Sequence, residues 1–79
     1  MLEQKQLILV VDDDPDILKL LGAALRLDGF RVIATSDSGE ALQMVRDERP
    51  ALVVLDIMMP GADGYTVCQM VRGFSDVPI

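Results

Sequence analysis

Leu7 to Val11 is an unbroken apolar run, Leu-Ile-Leu-Val-Val, that gives way at once to Asp12-Asp13-Asp14-Pro15-Asp16. A half-exposed strand alternates apolar with polar residues, so five apolar residues in succession require cover on both faces. The same design returns in Leu52-Val53-Val54-Leu55, which ends on Asp56. Strands covered on both faces belong to parallel sheets with helices on either side. That narrows the chain to an α/β architecture.

The segments between the runs carry the other half of this pattern. Ile17, Leu18, Leu20, Leu21, Ala24, Leu25 and Leu27 recur at helical spacing, which predicts a first helix over residues 15–28. Pro15 suits its first turn, the acidic residues suit the positive end of its dipole, and Gly29 suits a left-handed cap. Residues 31–35, with Val32 and Ile33, read as a second strand. Residues 36–40 supply turn and capping chemistry, and Ala41, Leu42, Met44 and Val45 form the stripe of a second helix that closes before Pro50. After the run at Leu52, the turn-rich residues 59–64 lead into a third helix over residues 64–72, and Val77-Pro78-Ile79 resembles the start of a fourth strand. Strands and helices thus alternate three times. Right-handed crossovers then bring the strand C-termini to one rim, where ligands bind in such sheets.

Composition removes most kinds of chemistry. The chain of 79 residues has no His and one Cys, Cys68, which excludes Ser-His-Asp, Cys-His and His-metal sites as well as an internal disulfide. Thirteen Asp and Glu against seven Lys and Arg give a net charge of -6, which argues against direct nucleic-acid binding and against attraction to an anionic membrane. No apolar run reaches the roughly 18 residues a membrane span needs, and the polar start is no signal peptide, so a cytoplasmic location is expected. Catalysis or binding must run on carboxylates.

Asp12, Asp13 and Asp56 stand at the ends of the first and third strands, and they meet at the rim if those strands are neighbours. Carboxylates so close repel one another, and a hard cation relieves that repulsion. Mg2+ takes six oxygens, few of them carboxylates, and keeps waters and phosphate oxygens for the rest. Asp13 and Asp56 suit direct ligation, Asp12 suits ligation through water, and a backbone carbonyl just past Asp56, that of Met58, suits the remaining protein position. Asp56 is then a candidate nucleophile, because carboxylates form aspartyl-phosphate intermediates.

On Ile8-Leu9-Val10-Val11-Asp12-Asp13-Asp14, Leu55-Asp56-Ile57-Met58-Met59-Pro60, Asp63-Gly64 and Val77-Pro78-Ile79, the sequence resembles the receiver domains of two-component response regulators. The resemblance implies a flavodoxin-like, doubly wound parallel sheet in the order 2-1-3, here partial. It implies that Asp56 accepts a phosphoryl group from the phosphohistidine of a sensor histidine kinase or phosphotransfer protein, with Asp12, Asp13 and the Met58 carbonyl forming the Mg2+ pocket. It covers the whole chain, residues 1–79, as one domain that corresponds to about two-thirds of a usual receiver. The elements from the fourth strand to the fifth helix, with a hydroxyl residue and a Lys that matter for switching, are expected to be missing. Impaired signalling and self-association, through an exposed third-strand edge or exchange of the Val77-Pro78-Ile79 segment, are the expected consequences.

Rival readings weigh less. Asp12-x-Asp14-x-Asp16 matches the first ligands of a calcium loop, but Ile17 stands where that loop needs Gly and Ala23 where it needs Glu. An aspartate-nucleophile phosphatase normally has a second Asp two positions after the nucleophile, and here that position is Met58. A receiver fragment serving as a non-catalytic interaction scaffold remains the principal alternative. Met44, Cys68 and Met70 read as core filler, and Arg46, Arg49 and Arg72 as solvated charges.

Overall fold

A computed structural model of the chain describes residues 5–55, 68–69, 71–73 and 75–79. Their order is β1 (Leu7–Val11), α1 (Pro15–Leu27), β2 (Arg31–Thr35), α2 (Ser38–Glu48) and β3 (Leu52–Leu55). The three strands form one parallel sheet in the order β2-β1-β3. All five residues of the central strand β1 are buried, as its uninterrupted apolar sequence requires.

Side chains alternate across the sheet, and each face has its own cover. Leu9, Val11 and Val53 point to the face where Ala41 and Val45 of α2 complete a core with Val71 and Val77. On the other face α1 lies over β1 and β2. Its close approach to β2 falls at buried Gly22, where an added Cβ would stand 3.9 Å from Val32 Cγ1. Asp14 caps α1 by accepting from the Asp16 amide, and Asp37 caps α2 by accepting from Gly39 and Glu40. Gly29 has φ 95, the left-handed conformation that ends α1 without steric penalty. The helix itself closes one residue earlier than the periodicity suggests, with Asp28 as its cap.

Two expectations change on the structure. Leu20 and Leu27, counted in the buried stripe of α1, are 67% and 90% exposed, because α1 meets the sheet along one side only. The outer edge of β3 is not bare: the Val53 amide donates to the Pro78 carbonyl at 2.8 Å. Residues 75–79 nevertheless carry no strand, in keeping with a proline that has no amide proton to return to a ladder. Arg72 is exposed as expected, and its Nη1 also donates to the carbonyls of Ser75 and Val77. Of the expected third helix, Cys68, Gln69, Val71 and Arg72 are helical, and the rest of residues 64–72 lies outside the described residues or carries no described conformation.

Candidate functional site

β1 ends at Val11, which pairs with Thr35 of β2 on one side and Leu55 of β3 on the other. The three strand tips therefore share one level of the rim. Asp12 continues from β1 and donates its amide to the Thr35 carbonyl at 3.2 Å, so β2 fixes the point where the acidic sequence leaves the sheet. Asp12 Oδ1 accepts from the Asp14 amide at 2.9 Å, and Asp14 Oδ1 accepts from the Asp16 amide at 2.9 Å. These two turns fold the acidic segment back onto the start of α1.

The three consecutive aspartates consequently divide their work. Asp14 is committed to the helix cap, Asp12 is half-buried with one oxygen engaged, and Asp13 is exposed. Asp12, Asp13 and Asp14 line a cavity of about 400 Å3 together with Val54 and Leu55 of β3 and Ile17 of α1. The tip of β3 thus opens into the same hollow as the acids that follow β1. Asp56 and Met58 lie outside the described residues, as do the loop 57–64 and Tyr65. Among the described residues no three acidic, Cys or His side chains are grouped to hold a metal ion. Oxygen donors of the kind Mg2+ takes are nonetheless the chemistry of this rim.

A family model, the response regulator receiver domain, matches residues 8–79. The chain belongs to that family. It is 54% identical over 76 residues to the probable transcriptional regulator ycf27 of Pyropia yezoensis, covering 96% of this chain and 31% of the relative. To the DNA-binding response regulator MtrA of Mycolicibacterium smegmatis it is 48% identical over 75 residues, covering 95% of this chain and 33% of the relative. The chain therefore spans about a third of the length of these curated relatives. Among solved structures it is similar to the BeF3-activated N-terminal receiver domain of Klebsiella pneumoniae RstA, with TM-score 0.83, 37% identity, and coverage of 89% of this chain and 60% of that one. A complex of the histidine kinase ThkA with the response regulator TrrA matches with TM-score 0.85 and 36% identity, covering 92% of this chain and 63% of the other. The sheet order β2-β1-β3 with its flanking helices is thus the flavodoxin-like receiver arrangement, and this receiver domain is a signalling unit.

Two polar residues that brace the fold have no obvious mark in the sequence. Thr35 is 6% exposed, and its Oγ1 accepts from the Asp37 amide at 3.1 Å while its carbonyl holds Asp12. A hydroxyl residue that closes a strand two positions before an Asp is the available signal, and it is a weak one. Arg26 donates from Nη2 to the Val32 carbonyl at 3.4 Å, reaching from α1 across to β2. Among the described residues no helix is long and apolar enough to cross a membrane.

Proposed function

We propose that this receiver takes a phosphoryl group onto Asp56 from the phosphohistidine of a sensor histidine kinase or phosphotransfer protein. The carrying observation is the pairing of Val11 with Leu55, because Asp12 and Asp56 are the next residues in sequence after those partners. Each is one Cα step, about 3.8 Å, from a paired residue. Cover of 72 of the 79 residues by the receiver family, from residue 8 to residue 79, supports the same reading. The complex of a kinase with a response regulator among the structural relatives supports the choice of partner.

In this reading a carboxylate oxygen of Asp56 attacks phosphorus, the O–P bond forms, and the N–P bond breaks. The electron pair returns to the imidazole nitrogen of the donor. Asp12, Asp13, Asp56 and the backbone carbonyl of Met58 are the groups that would hold Mg2+. Bound there, the ion supplies positive charge that offsets repulsion between phosphoryl oxygens and the rim carboxylates. The bond from the Asp14 amide orients the Asp12 carboxylate, and the Thr35 carbonyl fixes its backbone. The acceptor is a residue of the chain itself, so the module relays a signal and is not a turnover enzyme.

The remaining features follow from the same reading. The receiver match runs over residues 8–79, which is the stretch this reading concerns. The site is cytoplasmic, and the net charge of -6 speaks against nucleic-acid binding by this stretch. Incubation with acetyl phosphate and Mg2+ followed by intact-mass measurement tests the assignment. One added phosphoryl group, absent in Asp56→Asn, is expected. Labelling that persists in Asp56→Asn refutes the assignment, and inertness of the unaltered chain points instead to a scaffold.

A further inference from the structure

The pole opposite the acidic rim is built from the starts of the same three strands, and its charge is reversed. Lys5, Arg31 and Arg49 line one cavity of about 200 Å3, with Gln6 and Ala51 in its wall and Glu48 as the sole acid there among the described residues. Three of the chain's seven basic residues therefore converge on one small volume of a protein with net charge -6. The convergence is fixed by the fold. Arg31 opens β2, its amide donates to the Gln6 carbonyl at 2.9 Å, and its Nε donates to the Lys5 carbonyl at 3.3 Å. Ala51, just before β3, donates its amide to the Leu7 carbonyl at 2.7 Å, which brings the end of α2 alongside. Arg49 itself caps α2 at φ 50, ψ 60, a left-handed conformation that Gly or Asn adopts more cheaply.

Like charges gathered in this way repel one another, and among the described residues Glu48 is the acid that shares this cavity, while Asp76 shares a second one with Arg49. A small anion bound there would offset the remaining positive charge. The rim aspartates do not forestall it: β1 is five residues long, so at about 3.3 Å per residue the two poles stand roughly 15 Å apart. That separation exceeds the Debye length of about 8 Å at physiological ionic strength. Guanidinium groups suit tetrahedral oxyanions because they offer paired donors in one plane, and Lys adds a mobile point charge. We propose that Lys5, Arg31 and Arg49 form a binding site for a small oxyanion of the phosphate class, at the end of the sheet remote from Asp12 and Asp13.

The test uses the 15N-labelled chain in EDTA, which keeps divalent cations away from the acidic rim and so separates this site from the proposed phosphoacceptor chemistry. Inorganic phosphate is titrated at ionic strength held constant with chloride, and methyl phosphate is run in parallel. Saturable shifts of the Gln6, Arg31 and Ala51 amides are expected, with little change at Asp12 to Asp16. Arg31→Gln and Arg49→Gln should each weaken the apparent affinity roughly tenfold, whereas Lys19→Gln on α1 leaves it unchanged. Tighter binding of phosphate than of methyl phosphate identifies the free ion as the better ligand, and the reverse order identifies a monoester. Shifts that grow linearly without saturation, or saturable shifts that survive both arginine substitutions, overturn the proposal.

Discussion

At the scale of single residues, the rim shows how neighbouring aspartates acquire different duties from their hydrogen bonds alone. Asp14 is a helix cap, so Asp14→Ala should lower stability by about 1 kcal/mol in thermal or urea unfolding. Asp14→Asn, which keeps the accepting oxygen, should recover most of that loss. Asp13→Asn behaves differently if Asp13 ligates the ion: the fold stands, and the Mg2+ concentration for half-maximal phosphoryl labelling rises by about tenfold or more. Labelling by acetyl phosphate across a Mg2+ series measures this, and an unchanged midpoint removes Asp13 from the ligand set. Thr35 offers a third contrast. Thr35→Val keeps the shape of a buried side chain but leaves the Asp37 amide without its acceptor, a loss of about 1–3 kcal/mol that Thr35→Ser should largely restore.

Among the secondary-structure elements, α1 contains Gly22 and is followed by Gly29, and replacing these two glycines should act in opposite directions. Gly22 lies inside the helix, and a Cβ there would meet Arg26 Nη1 at 3.3 Å, the mobile end of an exposed side chain. Gly22→Ala should therefore gain up to about 1 kcal/mol of helix propensity once Arg26 shifts aside. Gly29 has open space around it but holds φ 95, so Gly29→Ala should lose about 1 kcal/mol for conformational reasons alone. Paired urea titrations give both signs, and loss of stability in Gly22→Ala would show that Arg26 is held too firmly on Val32 to move. The same elements show what a sequence discloses. The strands at Leu7 and Leu52 are legible because burial on two faces leaves no place for a polar residue. Pro15, Gly29 and the apolar spacing mark α1 to within one residue. The exposure of Leu27 is not legible, since periodicity reports which side of a helix is apolar and not how far the sheet extends beneath it. Thr35 and Arg72 are hidden for a related reason: a lone polar residue takes its meaning from a carbonyl or amide distant in the fold.

For the whole molecule, the question is how the sheet edge at β3 and the apolar side chains that α1 exposes among the described residues bear on self-association. Leu20 at 67% and Leu27 at 90% exposure stand on α1, while β3 has its Val53 amide held by Pro78. We propose that, if the chain self-associates, it does so by exchange of the Val77-Pro78-Ile79 segment rather than by direct edge pairing, because the Val53 amide on that edge is already held by Pro78 within the chain. Arg72 is the side chain that ties this segment to the end of the preceding helical turn. Its Nη1 grips the Ser75 and Val77 carbonyls, and the Ser75 Oγ accepts from the Val77 amide, which bends the segment back toward β3. Removing the guanidinium loosens the segment without touching the strand it rests on. Arg72→Ala should then raise the dimer fraction in sedimentation-velocity runs at equal concentration, while Leu20→Lys, which alters only the α1 surface, should leave that fraction unchanged. A dimer fraction that falls in Leu20→Lys and stays constant in Arg72→Ala would instead place the contact between α1 helices and exclude segment exchange as its route.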